Sequence, residues 1–431
     1  MMNINNIPNM VKDYYIYTIK PFKKRNPSGM KKHLLSLLSL VLLFNQSVLA
    51  QHDRCGTMQH HEYLKTVDPN YESRQQVIDQ LMLNSMENDP SWKTTGIVTI
   101  PVVFHVLYST NSTTQNISNA RIQAQLNVLN SDYAATNSDT SLIPTVFKPL
   151  KANTGIQFCL AQRDPQGNPT DGIIRKQTTV TSFSTNNAIK FNVQGGDDAW
   201  PATQYLNVWV GNLGSGLLGY AQFPGGAAAT DGVVLLNGSV GGPGALGTTS
   251  SYNRGRTATH EVGHYLGLRH IWGDGGCGVD DFVLDTPEQD ASNTICNANP
   301  TKFSCGNNNM IQNYMDYTPD PCMNIFTKGQ VERFDVVLAN SPRRATLVNN
   351  RATREPVLAD RDLSLRRIVQ PNDALCDQTI SPSVEVQNTG TSPITSTRIE
   401  FKRNGQLVES KRFNLNLQTG QTALLEFASL S

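Results

Sequence analysis

The strongest chemical signal in this chain is a run of three histidines and a glutamate, T-A-T-H-E-V-G-H-Y-L-G-L-R-H, from Thr257 to His270. On a helix turning about 100° per residue, His260 and His264 lie roughly 40° apart on one face. Ala258, Val262, Tyr265 and Leu266 gather opposite, so one face can hold a metal while the other packs on a core. A third ligand must come from off the helix. Gly267 can adopt the left-handed conformation that ends helices, letting His270 return from another direction. Three neutral imidazoles and a water make an open, catalytic zinc geometry, whereas structural zinc sites are usually closed by four protein ligands. Glu261 is too close along the helix to ligate comfortably, but it can take a proton from water at the fourth position, whose pKa zinc lowers from about 15.7 towards about 7. That is the chemistry of metal-assisted hydrolysis.

A bare H-E-x-x-H arises by chance in many chains. The extended H-E-x-x-H-x-x-G-x-x-H followed by a methionine turn is far more specific, and N-Y-M-D-Y supplies that methionine as Met315.

Elements must position these groups. I-V-T-I-P-V-V-F-H-V-L-Y, Ile97 to Tyr108, reads as a first strand buried on at least one face. Ile117 to Tyr133 places Ile122, Leu126 and Leu129 at the spacing of an amphipathic helix. Further strands are expected at Ile156–Ala161, Leu206–Val210, Leu218–Phe223 and Gly232–Leu236, giving a mixed sheet with a backing helix and then the metal helix. His105 and Cys159 read as core residues. The glycine pairs at 225–226 and 241–242 lack the Lys-Ser/Thr of a phosphate loop and are read as turns.

Composition bounds the rest. With 431 residues, two or three domains are expected. The 38% hydrophobic content suffices for a core of a soluble, globular protein. A formal net charge of +1, from 36 basic and 35 acidic residues, points to neither nucleic acid nor an anionic membrane surface. Met30-Lys31-Lys32 introduces an apolar run, Leu34 to Phe44, too short to span a bilayer. Val48 and Ala50 suit a signal peptidase, so residues 1–50 are expected to be a lead and signal peptide and the protein secreted or at the cell surface.

Residues 51–94 then form a leader containing Cys55 and a helical stretch, Tyr71 to Met86. Seven cysteines leave at least one outside intrachain pairs. A thiolate is a strong zinc ligand, so Cys55 can fill the open fourth position and silence the enzyme until the leader is removed. The expected catalytic domain is 95–355.

Past His270, Gly273 to Cys322 is rich in Asp, Asn and Gly and carries Cys277, Cys296, Cys305 and Cys322, which allow three pairings. With little core to bury, this part is expected to be stapled. Asp280, Asp281, Asp285 and Thr286 offer oxygen donors for calcium, or equally a solvated acidic loop that caps a helix. Residues 358–431 read as short alternating strands, with Asn404-Gly405 as a hairpin signal, the beginning of an immunoglobulin-like sandwich.

H-E-V-G-H-Y-L-G-L-R-H, D-F-V-L-D-T-P and N-Y-M-D-Y together resemble the pappalysin family of metzincin metallopeptidases, in particular its bacterial secreted members. The resemblance covers roughly Ile97 to Asn349, and R-C-G-T around Cys55 extends it into the leader. It implies an α+β fold in two subdomains: a twisted mixed sheet with a backing helix and the active-site helix, then a loop-rich C-terminal part. Between them an extended protein or peptide substrate would lie antiparallel to the edge strand Leu218–Phe223. The resemblance further implies that His260, His264 and His270 bind one zinc ion and that Glu261 is the general base. Tyr317 would stabilise the oxyanion, Met315 would floor the metal, and Cys55 would be the inhibitory thiol. It implies disulfides 277–305 and 296–322, and a calcium ion at Asp281, the carbonyl of Val283 and Thr286. Some members read a basic residue after the cut with an acidic side chain ahead of the last cysteine. Here Pro321 stands adjacent and Asp320 one further back.

The competing reading from another class is a catalytically silent adhesion or binding protein on the same scaffold. Loss of Glu261 or of a histidine would mark it, and all four residues are present.

Overall fold

The described part of the chain opens with two helices, α1 (Thr57–Val67) and α2 (Tyr71–Asn88), in the segment expected to be a leader. The computed structural model describes residues 54–88, 96–109, 112, 114–214, 216–296, 302–348, 350–355, 359–371 and 381–429. The expected signal segment, the junction at 89–95 and Cys376 fall outside them.

The long apolar run becomes β1 (Val98–Ser109), the hub of a six-stranded sheet. A helix, α3 (Asn119–Tyr133), follows it. It starts at Asn119 rather than Ile117 because the Ser118 side chain accepts a hydrogen bond from the Arg121 amide, an N-cap. Next come β2 (Ile156–Leu160), β3 (Ile173–Thr178), β4 (Leu206–Gly211), β5 (Gly219–Ala221) and β6 (Gly232–Leu236). The first half of β1 pairs with β2 and the second half with β3, while β4 lies on its other side; all three ladders are parallel. The order continues β4-β6-β5, and only β5 is antiparallel, so the sheet is mixed and β5 is its edge.

In the sheet, two strands differ from expectation. β3 was not legible, because I-I-R-K-Q-T neither alternates nor runs apolar. The edge strand expected over Leu218–Phe223 shortens to three residues. In β2, Cys159 is half-buried rather than fully buried.

The core forms where Ile122, Leu126 and Leu129 of α3 meet Ile100, Val102 and Phe104 of β1, Val208 of β4 and the apolar face of the next helix, α4 (Arg256–Tyr265). Every residue of α4 is buried. Beyond it lie the short strands β7 (Phe303–Ser304) and β8 (Asn307–Asn308), then α5 (Lys328–Asn340). Thr327 and Gln330 form a reciprocal capping box at the start of α5.

Disulfides join Cys277 to Cys305 and Cys296 to Cys322. Toward the C-terminus, β9 (Leu363–Gln370), β10 (Ser383–Asn388), β11 (Ile394–Arg403), β12 (Gln406–Leu417) and β13 (Thr422–Glu426) form a three-stranded sheet, β13-β10-β9, and a two-stranded one, β11-β12. Asn404 and Gly405, at φ 52° and 79°, make the hairpin turn of β11-β12.

Candidate active site

The histidines are aimed by what their far nitrogens touch. Nδ1 of His260 lies 2.7 Å from the Tyr314 carbonyl and Nδ1 of His264 lies 2.7 Å from the Leu268 carbonyl. A carbonyl only accepts, so both Nδ1 atoms carry the hydrogen and both Nε2 atoms present lone pairs. Yet these Nε2 atoms stand 3.1 Å apart, and that of His264 is also 3.1 Å from Nε2 of His270. Lone pairs converging at that distance repel unless a cation sits among them, so the donor set fits a metal ion. Burial, with His270 nearby, holds His260 and His264 well below the ordinary histidine pKa, in the neutral form a metal requires.

The helix closes at Gly267, whose φ is 92°, and the chain turns back to deliver His270. Nδ1 of His270 lies 2.5 Å from Asp274 Oδ1, and its ring stacks on Trp272 at 4.3 Å. Neither partner was anticipated from the sequence; an Asp four residues past the last histidine is the signal that could have found the first. Cys55 completes the group: its Sγ and the three imidazole nitrogens lie within 4.8 Å of one another, all buried.

Glu261 is 1% exposed, behind Gly219 of the edge strand, where a Cβ would approach its Oε1 to 3.2 Å. Its Oε2 accepts a 2.9 Å hydrogen bond from the Thr57 hydroxyl and one at 3.5 Å from the Cys55 thiol. Met315 lies under the helix, so that a Cβ at Gly263 would come within 2.5 Å of its sulfur. The Tyr317 hydroxyl donates to the Cys55 carbonyl at 3.4 Å. Asp316 fixes this turn by accepting from the Tyr317 and Asn293 amides and the Asn293 side chain. Arg256 ties the turn to the sheet half, its guanidinium 3.1 Å from Asp132 on α3 and 3.2 Å from the Tyr314 hydroxyl.

The leader runs parallel to β5, opposite to the direction expected of a substrate. Cys55 bridges Gly219, the Gly56 amide donates to the Gly219 carbonyl at 2.8 Å, and the Leu218 amide donates to the Arg54 carbonyl at 2.8 Å. Arg54 stacks over Tyr252 at 4.1 Å and sits in a pocket lined by Asp316, Tyr317 and Asp320. Asp320 therefore reaches this pocket despite its shifted position in the sequence. Burial raises its pKa to about 6. Farther along, Asp79 pairs with Arg269 at 3.2 Å and Arg74 donates to the Gly225 carbonyl. The roles of Arg54, Thr57 and Tyr252 were missed because nothing in their spacing distinguishes them from ordinary polar residues.

In the loop-rich part the acidic residues separate. Thr286 Oγ1 lies 2.9 Å from Asp281 Oδ2 and 2.8 Å from the Val283 carbonyl. Burial pushes the Asp281 carboxyl from 3.8 up to about 7. Asp285 instead accepts from the Gly329 amide at 3.0 Å, capping the first turn of α5, so it leaves the donor set and fits the helix-cap reading. Asp280 accepts from the Phe282 amide. His105 packs against Trp209 with Asp197 and Asn207 as partners, in the core away from this site.

The family model Peptidase_M43, described as pregnancy-associated plasma protein-A, matches residues 190–339. An extracellular metalloprotease of Arthroderma otae is 34% identical over 246 residues, 56% of this chain and 77% of that protein. The chain belongs to the pappalysin, or M43, family. It is a metalloendopeptidase of the metzincin fold, and the family implies a catalytic zinc, with which the donor set agrees. Promirolysin of Tannerella forsythia superposes with a TM-score of 0.62 at 42% identity, over 69% of this chain and 97% of that one. Mature mirolysin of the same organism, in complex with a cleaved peptide, gives 0.57 at 46% identity, over 59% and 97%.

Proposed function

We propose that this pappalysin-family chain is a secreted zinc endopeptidase, made as a zymogen, that hydrolyses peptide bonds in protein substrates. The convergence of three Nε2 lone pairs beside a buried glutamate carries the reading. His260, His264 and His270 would hold zinc, which when bound supplies Lewis acidity and makes water a nucleophile near neutral pH.

Glu261 accepts the proton of the attacking water and passes it to the leaving amine. The Tyr317 hydroxyl donates to the oxyanion of the tetrahedral intermediate, and Met315 supplies an apolar floor. In the latent chain Cys55 would be the fourth ligand, while the Thr57 hydroxyl occupies the carboxylate that catalysis needs free. Two catalytic groups are thereby blocked by residues two apart.

Residues 1–50 serve export, 51–94 inhibition, 95–355 catalysis, and 358–431 form part of an immunoglobulin-like β domain, which the five strands in two sheets support. Extracellular relatives support secretion, and no helix among the described residues is long and apolar enough to cross a membrane. Asp281, the Val283 carbonyl and Thr286 would hold a structural calcium.

The test is the full chain after leader removal, acting on a denatured protein substrate. Cleavage should stop with a chelator and return with zinc. It should be abolished in Glu261→Ala while metal content stays at one zinc per chain. Full activity in Glu261→Ala would end this reading.

A further inference from the structure

The glycine of R-C-G-T has no conformational reason to be one. Gly56 has φ −87° and ψ 10°, open to any residue. What it lacks is space: a Cβ there would meet Thr185 Cγ2 at 2.6 Å and Leu217 Cδ1 at 2.8 Å, with Tyr220 Cβ at 3.5 Å. The space is tight beside a ring that arrives from elsewhere. One turn on, the His60 amide donates to the Gly56 carbonyl, and the His60 side chain sits fully buried in the same place. Its Nδ1–H donates to the Thr185 carbonyl at 2.8 Å, and its ring lies 4.9 Å from that of Tyr220. Except for the leader, every wall of this seat belongs to the catalytic domain.

We propose that this seat is a specificity pocket of the mature enzyme, which takes a flat aromatic side chain bearing a donor hydrogen from a substrate residue just N-terminal to the scissile bond. The inference rests on the endopeptidase reading above. The leader passes from Leu218 at Arg54 to Ala221 at Thr57, so a substrate running the opposite way along β5 lays its N-terminal half over the Gly56 position. The Cβ direction at Gly56 itself meets Thr185, Leu217 and Tyr220, and the His60 ring fills the space beside them, within reach of a substrate side chain laid over that position.

The chemistry of the walls selects the occupant. The Thr185 carbonyl asks for a donor and the Tyr220 face for a ring. Lys190, 5.0 Å from the centre of the Tyr220 ring on the buried side, has its pKa lowered by burial to about 7, so the seat already strips charge from one amine and disfavours the permanent cation of arginine and the ammonium of lysine. His60 obeys this rule, being pushed well below its ordinary pKa first by burial and then by Lys190. Next to the seat a groove of about 410 Å³, lined by Phe183, Ser184, Asn186 and Gly214, gives a larger ring room to extend.

The full chain, activated by leader removal, is given a peptide library varied at each position before the cut. Histidine, tyrosine or tryptophan should be preferred over alanine by about tenfold or more in kcat/KM at one such position, with arginine and lysine below alanine. Tyr220→Ala removes the ring wall and Leu217→Trp fills the seat; each should flatten the preference to within about twofold. If neither variant folds, the wild-type profile decides, its ring preference supporting the pocket and its absence overturning it. A preference that survives both variants also overturns it. Failure to cut any peptide sinks the endopeptidase reading itself, and this inference with it.

Discussion

Two halves of the molecule meet at His270, and they are held by different forces. From β1 to α4 the chain is fixed by burial: strands and helices share one apolar core, and α4 has no exposed residue. Among the described residues from Gly273 to Tyr317 there is little regular structure beyond two-residue strands. There only Val283, Tyr314 and Met315 reach the shared core, and two disulfides and the buried Asp316, with Asn293 and Gln289 on its carboxylate, add the rest of the fixing. The sheet half offers His260, Glu261 and His264 from a rigid helix. The stapled half offers Met315 and Tyr317 from a turn. The proposed proton acceptor, Glu261, thus sits on a helix buried in the core, and the proposed oxyanion donor, Tyr317, on a turn held by the stapled segment.

The largest effect expected tests the first half of that contrast. Glu261→Ala should lower kcat by about 10³- to 10⁴-fold with no change in thermal midpoint, because it removes a proton acceptor and leaves the core intact. Tyr317→Phe should cost about 10²-fold in kcat with KM little altered. An effect on KM alone would place Tyr317 in substrate binding rather than in oxyanion stabilisation.

The division is sharpened by the paired change Cys277→Ser and Cys305→Ser, which opens a loop with a sequence separation of 28. It should destabilise the protein by about 3 kcal/mol and speed amide exchange between Gly273 and Tyr317, leaving β1 and β4 protected. Equal loss of protection in both halves would show that they unfold as one. Met315→Leu, nearly volume-conserving, should cost under about 1.5 kcal/mol and leave zinc content unchanged.

The smallest effect concerns Asp281. With its folded pKa raised to about 7 from 3.8, the native state binds the proton more tightly than the unfolded chain does. Stability therefore falls as pH rises from about 4 to about 7. The calcium ion proposed at Asp281 would require the ionised form, so any gain in thermal midpoint on adding calcium should be larger at pH 8 than at pH 6 and disappear in Asp281→Asn.

The same contrast explains what was legible in the sequence. The sheet half announces itself through periodicity: the β1 run, the Ile122, Leu126 and Leu129 stripe and the histidine spacing all encode local structure directly. In the stapled half, which donors stay together depends on tertiary turns. Thus Asp285, grouped by sequence with Asp281, is drawn away to cap α5. α1 went unread because T-M-Q-H-H-E-Y-L-K-T-V buries polar residues, Thr57 and His60, beside Leu64, its packing supplied by Tyr220 and Phe223 from far along the chain. Asp274 and Trp272 were hidden because their partner, the His270 ring, is oriented only after the turn at Gly267.

Zinc-edge X-ray absorption on the purified latent chain tests the central claim most directly. The account predicts three nitrogen ligands at about 2.0–2.1 Å and one sulfur at about 2.3 Å, with the sulfur replaced by an oxygen in Cys55→Ala and a nitrogen lost in His270→Ala. A latent wild-type chain that purifies without zinc, or whose zinc has no sulfur neighbour, would contradict it.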